Sequence, residues 1–309
     1  MTRPSRREFL KAAALVTGGA FAGTRLAVGA EASPRRVLWA ANVRSKPFAE
    51  RLESAAEHGF THMSMFPIDY RSLLEGGQTP ADIRRAIEAS GVEVLVCDPF
   101  TQWVPRWELP DGYPDDCVAF VNFDEDFIFG MAETTGASVV NCVEPFGVPY
   151  ETDELVDAMG AFAERAARNG LRVAHEFMPI SGIPDLKSGW AVVEPQDPAL
   201  VGLTFDTWHF FRSDPDTELL ASIPGDRIFE VKLADALNEL QGGDLTTDLL
   251  QYRRQPGDGE FDLDAVVSIL KRNGAWRSVG PEVFAAEMDS LTTDAAVEKA
   301  ASALVRFVE

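Results

Sequence analysis

The sequence predicts an α/β fold, a single closed (β/α)8 barrel over residues 33–309, and three observations point there. From residue 36 onward, short apolar runs alternate eight times with stretches of helical period. Gly59, Gly91, Gly136 and Gly170 each fall just past a helical stretch and before an apolar run, where a left-handed helix cap is wanted. No glycine-rich phosphate loop follows the first run, which passes into Ala41-Asn42-Val43-Arg44-Ser45-Lys46-Pro47. An open doubly wound sheet, which usually carries such a loop, is therefore the weaker alternative.

Taken in order, a strand at 37–41 precedes a helix at 48–58, and a strand at 61–66 precedes a helix at 80–89. The third strand, 92–97, runs into a loop at 101–121 rich in Pro and Asp, read as a cover over an active site, and then a helix at 124–133. A strand at 138–143 is followed by a helix at 153–168, and strands at 172–177, 201–206 and 228–233 come next. A helix at 263–272, a strand at 278–284 and a helix at 293–307 complete the set. Runs apolar on both faces and joined by helices belong to parallel sheets.

Apolar residues make up 46% of the 309 and charged residues 25%, enough for a sizeable core and too apolar for a disordered chain. Forty-nine acidic residues against 28 Lys and Arg give −21. That balance excludes a nucleic-acid binder, which needs a basic face, and docking on an anionic membrane. Cys97, Cys117 and Cys142 are too scattered for a disulfide framework or a CxxC zinc site. No apolar run is long enough for a membrane span. Residues 1–32 read as an address: Ser5-Arg6-Arg7-Glu8-Phe9-Leu10-Lys11 matches a twin-arginine export signal, and Ala30-Glu31-Ala32 offers a cleavage site. The expected location is periplasmic or extracellular, after export of a folded chain.

In a barrel of this kind the chemistry sits at the carboxyl ends of the strands. Read there, the sequence delivers Asp69, Asp98, Glu144, Glu176, Asp206, Lys232 with Asp235, and Glu282 to one rim. Glu176, Asp206 and Glu282, with His209 one turn beyond Asp206, form the strongest constellation. Glu144 either adds a carboxylate to the rim or caps the next helix. Trp208 and Trp103 are read either as core or lid residues or as a platform for substrate. His175 points to the opposite side of its strand from Glu176 and is read as a packing residue.

These residues resemble the xylose-isomerase-like TIM-barrel superfamily, also called the sugar phosphate isomerase/epimerase family, over the whole chain from about residue 36. The resemblance rests on Glu176, on Asp206-x-x-His209, on Arg254-x-Pro256-Gly257-x-Gly259-Glu260 and on Glu282. It implies that Glu176, Asp206 and Glu282 ligate a divalent metal, Mg2+ or Mn2+, and that His209 lies beside it and touches substrate. It also implies that Arg254, with Arg253 as neighbour, binds a substrate oxygen or carboxylate. The family's fourth ligand comes from a motif reading roughly His-Leu-Lys-Asp, where this chain has Lys232-Leu233-Ala234-Asp235. A lysine, with an ordinary pKa of about 10.4, ligates only when deprotonated.

Three readings of Lys232 compete. Its ammonium replaces the metal as the stabiliser of an enolate; or it pairs with Glu230 while three carboxylates still hold a hard cation; or it forms a Schiff base. A structural Glu230–Lys232 ion pair with no part in catalysis is the fourth. In the catalytic readings, Glu176 and Glu282 move protons on opposite sides of a bound carbonyl compound, assisted by Lys232 and His209. The expected activity is isomerisation or epimerisation of a sugar or polyhydroxy ketone. The alternatives are a dehydratase that expels a β-leaving group from the same enolate, with His209 as acid, and a metal-free sugar-binding barrel without turnover. The expected partners are a small polyhydroxy molecule, the twin-arginine export machinery, and a second copy in a homo-oligomer.

Overall fold

The computed structural model describes residues 33–308, so the expected export signal at 1–32 lies outside the described residues. Eight parallel strands form a closed barrel: β1 (Arg35–Leu38), β2 (His62–Met65), β3 (Glu93–Phe100), β4 (Val139–Cys142), β5 (Arg172–His175), β6 (Val201–Asp206), β7 (Ile228–Leu233) and β8 (Ser278–Pro281). Each pairs with the next, and β8 closes on β1 through Arg35↔Ser278 and Arg36↔Val279.

Every residue of β6 and β7 is buried, as strands covered on both faces require. Along β7, Lys232 faces the barrel interior, while Val231 and Leu233 join a core cluster with the helix residues Leu263, Val266 and Leu270. The closure is tight at Gly280, where an added Cβ would lie 1.7 Å from the Val37 carbonyl oxygen. The four glycines read as helix caps all have φ between 73° and 79°, the left-handed region that only glycine enters without penalty.

The six expected helices are found at Phe48–Glu57, Pro80–Ser90, Glu125–Thr135, Thr152–Arg168, Leu263–Arg272 and Thr293–Val308. Three strands stop two or three residues short of their apolar runs. After β1, Ala40–Val43 coils into a 3-10 turn, with the Ala40 amide donating to the side chain of Ser64 on β2 (Oγ, 2.9 Å) instead of to a backbone carbonyl. β5 and β8 end at His175 and Pro281, where the Glu176 amide still donates to the Cys142 carbonyl (3.0 Å) and the Glu282 amide to the Leu233 carbonyl (2.8 Å), so both residues stand directly at strand ends and line the cavity. Helices not expected lie in the connections, among them Pro67–Glu75, Asp115–Val121 and Leu186–Val193. Cys97 and Cys142 are buried free thiols in β3 and β4. Among the described residues no helix is long and apolar enough to cross a membrane.

Candidate active site

Six of the strands converge their last residues on one charged cluster. Asp98 belongs to β3, Asn141 to β4 and Lys232 to β7; Glu176 and Glu282 directly follow β5 and β8; Asp206 ends β6. Asp206 also caps the short helix Thr207–Arg212, accepting from the amides of Trp208 (2.6 Å) and His209 (3.1 Å). That cap fixes the turn on which His209 is carried.

The Lys232 ammonium is the hub. Its Nζ lies 3.0 Å from Asp98 Oδ2, 2.9 Å from Glu176 Oε2 and 3.0 Å from Glu282 Oε1, and 4.6 Å from the centre of the Trp39 ring. Arg253 is the second cation: its Nη1 bridges Asp206 Oδ2 (2.8 Å) and Glu282 Oε2 (3.2 Å). Asn141 Nδ2 donates to Asp98 Oδ1 (2.7 Å) and Glu176 Oε2 (2.6 Å), and the Thr204 hydroxyl donates to Asn141 Oδ1 (2.7 Å), which orients the amide. Glu176 Oε1 remains buried without a hydrogen-bond partner, 3.7 Å from His209 Nε2.

Four carboxyl groups thus face two permanent cations, and that imbalance shapes the titration. Burial pushes Glu176 up to about 7, Lys232 opposing the shift and Asp98 and Asp206 adding to it. Glu282 is driven well above the usual carboxylate range by burial, against the pull of Lys232. Asp206 goes the other way: burial disfavours its charge, but Arg253, His209 and Lys232 outweigh that and hold it low. Burial also works against the Lys232 charge, and Asp98, Glu176 and Glu282 overcome it, raising its pKa well above the usual value. A firmly protonated amine is no nucleophile, so the Schiff-base reading is withdrawn. Burial, with Arg253 and Lys232 nearby, lowers His209 to about 3 despite Asp206. Its imidazole is therefore neutral at neutral pH, which makes it a poor acid toward a leaving oxygen.

The cluster forms the floor of a cavity of about 460 Å3, lined there by Asp98, Glu176, His209, Lys232, Arg253 and Glu282. Higher up, Tyr113, Phe120 and Val121 contribute walls, so the second half of the loop read as a cover does border the cavity. Other expected site residues lie elsewhere. Arg254 donates to the Asp258 carbonyl and borders a different cavity, because the Asp235–Arg254 bridge turns it away while Arg253 points inward. Trp208 is fully buried, its Nε1 donating to Asp248 Oδ2 (3.0 Å). Trp103 is buried and donates to the Val143 carbonyl. Glu144 accepts from the amides of Phe146, Gly147 and Gly182, tying two loops together. His175 is buried edge-on to Trp103, a packing residue as read. Glu230 accepts from the Ser278 hydroxyl and makes no ion pair with Lys232, so the Glu230–Lys232 pairing is also withdrawn. Asp98 was placed on the rim without a role, and Asn141 was not named at all; its signal was a polar residue inside the apolar run 138–143.

The metal question has a geometric answer. Ligand atoms of Glu176, Asp206 and His209 lie within 4.8 Å of one another, all buried. Two carboxylates, one with an unpartnered oxygen, and a neutral imidazole suit a divalent cation. Glu282, expected as a ligand, instead has one oxygen on each of the two resident cations.

Residues 52–307 match the family described as xylose isomerase-like TIM barrel. Over 242 residues the chain is 28% identical to a 3-dehydroshikimate dehydratase of Pseudomonas aeruginosa, covering 76% of this chain but only 36% of that protein. It is 31% identical over 273 residues to an inosose isomerase of Bacillus velezensis, covering 84% of this chain and 92% of the other. The solved structure of the IOLI protein with a binding zinc atom superposes with a TM-score of 0.73 at 22% identity, covering 89% of this chain and 98% of that one.

Proposed function

Because the chain belongs to the xylose isomerase-like TIM barrel family, we propose that it isomerises or epimerises a hydroxylated ketone through an enolate held against Lys232. The observation that carries this reading is the Lys232 ammonium held between Asp98, Glu176 and Glu282 on a cavity floor, with Glu176 Oε1 free. A carbonyl oxygen seated beside that ammonium and Arg253 meets fixed positive charge where negative charge develops. Glu176 takes the proton from the carbon next to the carbonyl; the C–H electrons form the carbon–carbon double bond, and the carbonyl π electrons move to oxygen. Glu282, whose burial favours its protonated form, returns a proton to the opposite face of the same carbon for epimerisation; for isomerisation the α-hydroxyl proton passes to the enolate oxygen and Glu282 protonates the former carbonyl carbon, as the new carbonyl forms at the carbon that lost its proton.

Glu176, Asp206 and His209 would hold a divalent cation, which would supply further polarisation of a substrate oxygen; the similar IOLI protein binds a zinc atom. Arg253 keeps Asp206 ionised for that task.

A second reading, elimination of a β-hydroxyl from the same enolate, is favoured by the dehydratase relative. His209, lowered to about 3 chiefly by burial, does not serve as the acid of that reading, so the proton for the leaving oxygen would also have to come from Glu282. The test is turnover of inosose and 3-dehydroshikimate followed by proton NMR, in the parent and in Glu282→Gln. The expected result is a positional or stereochemical isomer from the parent and none from the variant, with an unchanged melting profile. Full activity in the variant rejects the assignment.

A further inference from the structure

We infer that the substrate is amphipathic: a small hydroxylated ketone head on the cavity floor, carrying an apolar or aromatic tail that rests against a phenylalanine wall near the mouth. The inference rests on the enolising floor proposed above and concerns the part of the cavity that the chemistry does not use. Above the charged floor stand Phe66, Ile68, Phe120, Met178, Leu249 and Phe284. Phe66 meets Phe120 edge-on with ring centres 4.9 Å apart, and lies nearly parallel to Phe284 at 6.4 Å. Phe66 is buried beneath these neighbours, whereas Phe120, Phe284 and Ile68 are only partly covered, so the cluster offers an open apolar face to the cavity.

The charged residues at this level are already committed. Arg44 forms a bidentate pair with Asp289, and Asp69 is bound by Arg51 at 2.6 Å. Of the uncharged groups lining the cavity among the described residues, only Tyr113 and Thr246 carry a hydroxyl, and no Asn, Gln or Ser is present. On the floor, most carboxylate oxygens are already taken by Lys232, Arg253 and Asn141. A sugar hydroxylated along its whole length would strand its outer hydroxyls against carbon, leaving buried donors unpaired. A hydroxylated ketone head seated on the floor, joined to a tail that rests on the phenylalanines, keeps its hydroxyls away from that wall. The cavity volume suits a molecule larger than a bare ring.

The probes are two ethers of inosose, methyl and phenyl, each on the ring carbon farthest from the ketone so that the substituent points at the mouth. Binding is measured by calorimetry, and enolisation by deuterium uptake from heavy water. The phenyl ether is expected to bind at least about tenfold tighter than the methyl ether. In the Phe120→Ala/Phe284→Ala double variant that advantage is expected to vanish while the methyl ether binds as in the parent. Equal affinities in the parent, or a phenyl advantage that survives the double variant, overturn the inference. Tighter phenyl binding without deuterium uptake from either ether upholds the tail site and counts against the enolising floor instead, so the two failures are distinct.

Discussion

Lys232 is the hub of the charged floor, and what it does there follows from charge alone. Three buried carboxyls surround its ammonium, so removing it leaves them uncompensated. Lys232→Met is expected to lose about 3–5 kcal/mol of stability at pH 8 by urea unfolding, and less at pH 5, where the carboxyls take up protons. A loss independent of pH would contradict the hub. Glu230, below it on the same strand, is a separate case. Burial raises its carboxyl to about 7, against the opposing pull of the Ser278 hydroxyl, Arg172, Arg35 and Lys232. Between pH 4.5 and about 7 the folded chain therefore keeps a proton that the unfolded chain has released, so this group costs stability as pH rises. Glu230→Gln should gain on the parent by about 1.4 kcal/mol per pH unit across that window and hold steady above it; a difference flat with pH would count against it. Glu176, Asp206, His209 and Glu282 were legible in the sequence because strand ends and a DxxH spacing name positions. The choice of Arg253 over Arg254 was not, since which of two adjacent arginines faces inward depends on the Asp235–Arg254 bridge.

At the scale of elements, the strands were legible because a strand buried on both faces has a continuous apolar signature. Their ends were less so. An apolar run such as 172–177 continues past the strand, which ends at His175, so the run alone does not mark where the strand stops. Short helices in the connections, such as Asp115–Val121, carry too few turns for a period to show. The closure between β8 and β1 gives a direct test. Gly280→Ala drives a methyl against the Val37 carbonyl and is expected to lose about 3 kcal/mol, measured by thermal unfolding. Gly130→Ala, inside the helix Glu125–Thr135 with nothing within 4 Å, is the control and should gain about 0.5–1 kcal/mol. Equal effects of the two changes would contradict the close approach of the strands.

At the scale of the whole molecule, an acidic chain of net charge −21 gathers two of its cations, Lys232 and Arg253, at the floor of one cavity. The barrel supplies the rigidity: the groups come from different strands, and no single element could hold them together without closure. Substrate identity was not legible from the sequence, because the tail-facing wall combines Phe66, Phe120 and Phe284 from segments far apart in the chain. The central claim is that this floor removes a proton beside a carbonyl, with Glu176 as the base. Proton NMR of inosose in heavy water, with parent and Glu176→Gln at equal concentration, tests it most directly. The account predicts loss of the proton signal next to the ketone with the parent, and a rate at least about 100-fold lower with the variant. Exchange at the parent's rate in Glu176→Gln would contradict it.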